Sequence, residues 1–307
     1  MKKHKLFLVK VLISSIEISA LLLASPLAMA QGGIEDTVNW NKATCCGAAM
    51  AVVTNSSNEV YVGGNISVNP GSNWSIRKFA TNGVEDTVNW NKSINLGTYG
   101  SVRGLAIDSK NNIYAAGYGY NLISSTSAVD WAIKKFDSNG VEDTIHWNKV
   151  FGGTGTEFPT SIATDSNDNV YVVGTGYNLV SSSSGNDWWI KKFNRNGTEY
   201  LANWNKMYDG AGGTDYIESV AIDSNDNVYV AGWGTNLASG SSITDIWVKK
   251  FNSNGIEDIT NWNKIFDNGL WDSSAELAID SNNNVYLAGT AENLVSSSSG
   301  YDWMIKK

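Results

Sequence analysis

Three carboxylates occupy the same position of an internal repeat and could carry out acid–base chemistry. Glu157, Asp215 and Asp272 each lie eight residues before the aspartate that begins a polar turn. A pair of carboxyl groups serves a glycosidase as general acid and general base. The alternative is that the three are solvated acidic loop residues, because no histidine, nucleophile or metal motif accompanies them. No motif therefore predicts a catalytic residue, and these three remain as candidates.

Five aromatic residues depart from the repeat and fall at or beside loops on the same side as those carboxylates. Aromatic faces, together with Asn and Asp side chains, are typical of sites that bind sugars or peptides. Ordinary packing is the alternative for each residue taken alone. The candidate ligand-binding residues are Tyr99, Tyr118, Tyr216, Trp233 and Trp271.

The polar turns resemble the beginning of a calcium-binding loop but do not continue as one. Asp165, Asn167 and Asn169 alternate as the first calcium ligands would, yet Val170 stands where such a loop requires Gly, and no Glu follows at position twelve. Asn and Asp also suit tight turns, since they tolerate left-handed backbone and bond their own main chain. We therefore predict a hairpin turn, with no metal site and no cofactor.

A repeat of 57 to 58 residues positions all of these candidates. Trp74, Trp131 and Trp188 are spaced 57 residues apart, and Trp303 follows 115 residues later with Ile246 between them. Self-similarity at a fixed period indicates a repeat architecture, in which each repeat forms one structural unit. A second tryptophan column, predicted to pack between repeats, contains Trp40, Trp90, Trp147, Trp204 and Trp262.

Each repeat contains four strand signals and no helical period. In the third repeat they are residues 161–164, 170–173, 188–193 and 203–206, the last reading Asn-Trp-Asn-Lys. An Asn-Gly pair separates the third signal from the fourth, which predicts a type I′ hairpin. The Lys pairs of the third strand, such as Lys191 and Lys192, are expected at a solvated strand end.

The repeats predict an all-β fold, a five-bladed β-propeller with four antiparallel strands per blade. We place the blades at about 47–92, 101–149, 159–206, 217–264 and 275–307, and a lone fourth-strand copy at 34–42 completes the last one. A β-helix would have shorter rungs, and isolated small sheets could not bury both faces. Pairing of 34–42 with 302–307 would close the ring and remove an exposed sheet edge.

Residues 1–30 have the pattern of a secretory signal peptide, with a basic start, an apolar run to Leu23 and a small-x-small site ending at Ala30. Export to the periplasm, the cell surface or the medium is therefore expected, and Lys10 and Glu17 interrupt the run enough to argue against a permanent membrane span. The chain has a formal charge of −8. Without residues 1–30 it has 18 basic and 29 acidic side chains, a charge of −11, which argues against nucleic acid as a partner.

Residues 151–174, FGGTGTEFPTSIATDSNDNVYVVG, resemble the bacterial SBBP-type β-propeller repeat, and similar segments recur at 105–117, 220–232 and 277–289. The resemblance implies a secreted or surface propeller and carries no catalytic residues. The family name implies seven blades, whereas five are found. The family also has Gly before the turn Asn, where this chain has Asn111, Asp168, Asp226 or Asn283.

The sequence favours a secreted, monomeric binding module over an enzyme. Its entrance-face loops would recognise a glycan or a surface protein, with several similar loops acting together. One alternative is a glycoside hydrolase-like enzyme that uses the three carboxylates. The other is a passive structural protein of the cell surface.

Overall fold

The computed structural model describes residues 39–40, 42–43, 46–153, 155–210, 213–238, 243–268 and 270–307. The predicted signal peptide and most of the lone strand copy at 34–42 lie outside these residues. Within them, no helix is long and apolar enough to cross a membrane.

Five antiparallel sheets follow one another along the described chain, and we refer to them as blades one to five. Blade one contains β1 (Gly47–Thr54), β2 (Val60–Ser67), β3 (Ser72–Phe79) and β4 (Lys92–Ile94). Blade two contains β5 (Gly100–Ile107), β6 (Ile113–Tyr120), β7 (Val129–Phe136) and β8 (Lys149–Phe151). Blade three contains β9 (Phe158–Thr164), β10 (Val170–Tyr177), β11 (Asn186–Phe193), the short helix α1 (Leu201–Trp204) and β12 (Lys206–Tyr208).

The last two blades continue the same order. Blade four contains β13 (Asp215–Ile222), β14 (Val228–Gly234), β15 (Asp245–Phe251) and β16 (Lys264–Phe266). Blade five contains β17 (Asp272–Ile279), β18 (Val285–Glu292) and β19 (Tyr301–Lys306), with no fourth strand among the described residues. Neighbouring strands in each sheet are consecutive in sequence, so every connection within a blade is a hairpin. The first strand of each blade contains a bulge, as at Arg103 and Glu218.

The hairpin that leads to the fourth strand differs from the prediction. The glycine of each Asn-Gly pair has a positive φ of 75° to 81°, but the preceding Asn does not, so the turn is not type I′. The tryptophan that follows lies in a single helical turn, where Trp147 N donates to Asp143 O at 3.2 Å. The fourth strand therefore starts at the Lys after the tryptophan, and the Asn-Trp-Asn segment was wrongly predicted as strand.

The turn between the first two strands is built as predicted from its Asx residues. Asp165 Oδ1 accepts the backbone N–H groups of Asn167 and Asn169 at 2.9 and 2.8 Å. Its Oδ2 accepts the Asn169 side-chain amide at 2.8 Å and the Tyr171 hydroxyl at 3.1 Å. Both oxygens of this carboxylate thus hold the hairpin.

The apolar core lies between successive blades, and tryptophans bridge the first three junctions. Four clusters of buried side chains each draw on two neighbouring sheets. Trp147 is fully buried, and its indole N–H donates to the Arg195 carbonyl of the next blade at 3.1 Å. Trp90 and Trp204 make the equivalent bonds to Ser138 and Ser253, both at 3.2 Å. The prediction that this column packs between blades is confirmed at these three positions.

The first lysine of the third-strand pair is buried in blades two to four, so the expectation of solvated ends was wrong there. This lysine reaches a glutamate that follows the Asn-Gly turn of its own blade. The apolar stem packs against neighbouring rings while the ammonium group is neutralised, as burial of a charge requires. The pairs are Lys134–Glu142 at 2.5 Å, Lys191–Glu199 at 2.6 Å and Lys249–Glu257 at 2.6 Å, with Arg77–Glu85 at 2.6 Å in blade one.

Apolar side chains on the outer faces of blades one and five are exposed. Trp303 is 56% exposed, whereas its counterparts Trp131 and Trp188 are fully buried against the next blade. Val52 of blade one is 42% exposed, whereas Leu105 at the same position of blade two is 9% exposed. The described strands do not form a closed ring.

Replacing Trp147 by Ala should lower the free energy of unfolding by about 3–5 kcal/mol, because a fully buried indole and its bond across the junction are lost. Urea denaturation followed by tryptophan fluorescence measures the change. Trp271→Ala, at a position 44% exposed, is the matched control and should change stability by less than about 1 kcal/mol. Equal losses in the two variants would contradict the bridging role.

Candidate functional site

One end of the blades collects the aromatic candidates. We call it the entrance face, and it is the end where first and third strands begin and second and fourth strands finish. Tyr99 precedes β5, Tyr118 lies near the end of β6, and Tyr216 is the second residue of β13. Trp233 lies near the end of β14 and Trp271 precedes β17. All five predicted ligand-binding residues therefore lie at this end of the sheets.

Four aromatic rings form a continuous row across blades two and three, which we call the aromatic row. Tyr99 is 51% exposed and its ring lies 5.8 Å from that of Tyr120. Tyr120 lies 6.4 Å from Tyr118, and Tyr118 stands edge-on to Phe158 at 5.2 Å. Edge-to-face contacts at these distances are favourable, so the row is a firm apolar platform.

A cationic side chain contacts one ring of the aromatic row. Arg103 occupies the bulge of β5, and its guanidinium carbon lies 5.4 Å from the centre of the Tyr118 ring. A bulge re-aims a side chain and is common beside functional sites. Arg103 thus supplies hydrogen-bond donors next to an aromatic surface.

A second aromatic pair occupies the entrance face of blade four. Tyr216 and Trp233 are cross-strand partners whose rings lie 4.7 Å apart at an angle of 32°. Asn186 of blade three donates its side-chain amide to the Tyr216 hydroxyl at 2.9 Å. Trp233 donates its indole N–H to Glu218 at 3.1 Å, so that this nitrogen is already engaged. The pair offers ring faces and the Tyr216 hydroxyl for recognition.

Two more exposed rings flank these groups. Tyr177, at the end of β10, is 52% exposed, and Trp271 is 44% exposed. Tyr177 also lines a surface cleft of about 620 Å³ between blades two and three. The cleft is otherwise formed by the Gly-rich segment before β9, together with Glu157, Asn178 and Leu179. It is large enough for part of a saccharide or a side chain of a partner protein.

The three candidate carboxylates lie at successive blade junctions, each beside a different aspartate. Glu157 is 1% exposed, Asp215 is fully buried and Asp272 is 2% exposed. Each candidate is repelled by the negative charge of a nearby aspartate. The pairs are Glu157 with Asp130, Asp215 with Asp187 and Asp272 with Asp245. The structure thus pairs each candidate with a buried aspartate of the preceding blade.

Burial is the main cause of a raised pKa at all three candidates. It raises the pKa of Glu157 to about 7, and the neighbouring Asp130 adds to the shift. It raises the pKa of Asp215 to about 7 and that of Asp272 to about 6, with nearby aspartates again adding to the shift. A carboxyl group with a pKa near neutrality can exchange protons in acid–base chemistry, provided that a substrate reaches it.

Sequence reasoning missed several of these residues because they lie within strands that were interpreted as scaffold. Tyr120 and Tyr177 end the second strands of their blades, where an aromatic residue looks like ordinary strand composition. Asp130 and Asp187 belong to the repeated third-strand motif and were treated as scaffold. Comparing the Asp130 position across all blades would have singled out these aspartates, since blade one has Asn73 there.

Residues 149–179 and 200–237 match the model of the SBBP family, described as a beta-propeller repeat. These matches confirm the resemblance drawn from the sequence, and they fall in blades two to four. No curated protein matches the chain.

Solved structures resemble the chain at low sequence identity. A protein of unknown function from Dyadobacter fermentans is 10% identical, with a TM-score of 0.52, over 84% of this chain and 79% of that one. A protein of unknown function from Bacteroides caccae is 13% identical, with a TM-score of 0.47, over 85% and 79%. The endo-arabinase of Bacteroides thetaiotaomicron is 8% identical, with a TM-score of 0.45, over 85% and 93%. At 10% identity the similarity to the Dyadobacter fermentans protein concerns the fold alone.

Glu157 should make the protein less stable as the pH rises from about 4.5 to about 7. Its pKa is near 7 in the folded chain and near its ordinary value of 4.5 after unfolding, so the folded state holds the extra proton across that window. The loss from this one group should reach about 3 kcal/mol and level off above the folded pKa. Glu157→Gln keeps the buried group neutral and should flatten that part of the curve.

Urea midpoints between pH 4 and pH 9 measure both proteins. The variant should gain stability over the parent at pH 8 relative to pH 4.5. If the stability of parent and variant changed equally with pH, the prediction would be wrong, because ionisation of Glu157 would then not destabilise the folded state.

Proposed function

We propose that this chain is an exported β-propeller binding module whose entrance face recognises a glycan. The observation that carries the proposal is the aromatic row, a connected set of rings at one end of the blades with Tyr99 half exposed. Sugar rings stack on aromatic faces through their apolar C–H surfaces, and their hydroxyls need neighbouring polar groups.

The polar groups beside the row suit a carbohydrate better than a strongly anionic partner. Arg103 offers donors next to Tyr118, and Asn178 lines the adjoining cleft. The net charge is −8, which disfavours a polyanion. Recognition of a surface protein by the same loops is the competing form of the binding hypothesis.

We propose in addition that five blades close into one ring, with the 34–42 segment completing blade five. Trp40 supports this closure. Its indole N–H donates to the Thr81 carbonyl at 3.1 Å, and its ring lies 6.3 Å from Phe79. Trp90 makes the same two contacts one blade later, with Ser138 and with Phe136. Trp40 therefore contacts blade one as the fourth-strand tryptophan of a preceding blade would.

The uncovered face of blade five supports the same arrangement. Ile305 is 71% exposed, whereas Ile133 and Ile190 at its position are fully buried. Exposed apolar residues on a strand with an unpaired edge are an aggregation hazard that proteins avoid by covering them. A strand beside β19 and contact with blade one would cover both.

A glycoside hydrolase-like activity is the second candidate, and the cleft beside Glu157 favours it. Its carboxyl group has a pKa of about 7 and lines the cleft with Tyr177. Glu157 is only 1% exposed, however, so a substrate would have to displace the Gly-rich segment to reach it. We therefore rank binding above catalysis.

Glycan binding should weaken when the aromatic row is truncated. On a glycan array the folded mature chain should bind at least one class of saccharide. Tyr99→Ala and Tyr118→Ala should each weaken binding of that saccharide about fivefold or more in calorimetric titration, because a stacked ring contributes about 1 kcal/mol. Tyr200→Ala removes a ring that is 43% exposed outside the entrance face, and it should bind as the parent does.

Two outcomes would overturn this proposal. One is an array with no bound glycan, and the other is equal loss in the Tyr99 and Tyr200 variants. Cleavage of the bound saccharide that is lost in Glu157→Gln but kept in Tyr200→Ala would favour the enzyme instead.

Deleting residues 31–42 tests the proposed ring closure. We expect the melting temperature to fall by several degrees and the radius of gyration in X-ray scattering to rise, because blade five loses a strand and Trp40 leaves blade one. A peptide of sequence 31–42 added in trans should restore part of the loss, and a scrambled peptide should not. An unchanged melting temperature would contradict closure by this segment.

A further inference from the structure

Two blade junctions each bring three aspartates together. In the third junction, between blades three and four, one carboxylate oxygen from each aspartate lies within 4.8 Å of the others. The same is true in the fourth junction, between blades four and five. The clusters are Asp187, Asp209 and Asp215 in the third junction and Asp245, Asp267 and Asp272 in the fourth.

A buried carboxylate oxygen of the third junction has no hydrogen-bond partner within the described chain. Asp187 is fully buried, and its Oδ2 accepts the N–H groups of Leu179 and Val180 at 2.6 and 3.1 Å. The Ser184 hydroxyl donates to the same oxygen at 2.7 Å, while Oδ1 receives no donor. Leaving a buried charged oxygen unpaired is costly, so this atom indicates a ligand.

The fourth junction shows the same feature on another member of its cluster. Asp272 is 2% exposed, and its Oδ2 accepts the Asn268 N–H at 3.0 Å. Its Oδ1 is buried and receives no donor from the described residues. Two junctions thus present an unpaired carboxylate oxygen inside a three-carboxylate cluster.

The second junction, between blades two and three, shows where these oxygens point. Asp130 repeats the pattern of Asp187, with Oδ2 bonded to Leu122 N at 2.8 Å and Oδ1 unpaired. A Cβ placed on Gly152 would collide with Asp130 Oδ1 and would lie 3.0 Å from Glu157 Oε2. Asp209 and Asp267 stand at the Gly152 position in the next two junctions. The unpaired oxygen of Asp187 is therefore aimed at the third carboxylate of its cluster.

Two of the three carboxylates of the third junction have no ion pair with a cation of the described residues. Among the ion pairs of the described residues, none involves Asp187 or Asp215. Carboxylates held together without a cation repel one another, and a bound metal ion would reverse that effect.

We propose that the third and fourth junctions each bind one Ca²⁺ ion through their three aspartates. Calcium takes six to eight oxygens at 2.3–2.6 Å, so two ligand oxygens on one ion are separated by at most about 5 Å. The clusters meet that limit. Calcium suits an irregular set of carboxylates completed by water, whereas Mg²⁺ requires near-octahedral geometry and retains its water shell.

This proposal goes beyond the proposed glycan binding and differs from the absence of a metal predicted from the sequence. That prediction concerned a contiguous loop at Asp165, whose oxygens serve the hairpin. The junction sites instead draw one ligand from a third strand, one from the end of a fourth strand and one from the next blade. A calcium ion there would fasten two blades and the loops of the entrance face together.

Calorimetric titration of the chelator-treated mature chain with CaCl2 at fixed ionic strength tests the proposal. Two ions should bind per chain, and the melting temperature should rise with calcium. Asp209→Asn and Asp267→Asn should each reduce the stoichiometry to one, and the double variant should bind none. Asp209 is only partly buried, so these variants should fold, and circular dichroism checks that they do.

Asp258→Asn is the control of equal charge change. Asp258 lies on the outer hairpin of blade four, where its Oδ1 caps the Asn261 N–H at 3.0 Å. It should leave both sites and the calcium response intact. No calcium heat and no thermal shift in the parent chain would overturn the proposal, and so would two sites persisting in Asp209→Asn. A tighter response to MgCl2 than to CaCl2 would overturn the assignment of calcium.

Discussion

The tryptophans that cross each blade junction are the constraint on which the fold depends. A four-stranded sheet with apolar residues on both faces is stable only between neighbours. Trp90 fixes one end of the first junction by bonding to Ser138 O, and Trp74 fixes the other by bonding to Tyr118 O at 2.7 Å. Two buried indoles cross each of the first three junctions and set both the spacing and the register of successive blades, whereas Ile246 replaces one of them in the fourth. The entrance-face loops inherit their positions from these bonds.

The sequence predicted the features that recur, because a recurring residue shows its structural role in every copy. The tryptophan column, the Asx turns and the first three strands of each blade follow directly from the repeat. The fourth strand did not, since the helical turn at Trp147 depends on a local bond to Asp143 that strand propensity does not reveal. The burial of Lys191 was also missed, because its partner Glu199 lies across a wide hairpin.

One departure from the family pattern becomes intelligible only in three dimensions. Asp168 replaces the usual Gly and has a φ of 61°, a conformation that costs energy for a residue with a side chain. Its carboxylate accepts the backbone N–H and the hydroxyl of Ser109 in the preceding blade, at 2.9 and 3.0 Å. Asp226 bonds to Ser166 in the same way. The strained turn is therefore offset by contacts between blades.

Part of the candidate site could be predicted from single repeats, and part could not because it forms only where two blades pack together. Exposed aromatics such as Tyr99 could be found in the sequence, because they interrupt the repeat. The carboxylate clusters could not, since their members belong to three segments that meet only when neighbouring blades pack. The change from Gly152 in one junction to Asp209 in the next adds a third carboxylate beside two buried acids. Small differences between nearly identical repeats can thus give each junction its own chemistry while the tryptophans keep the scaffold constant.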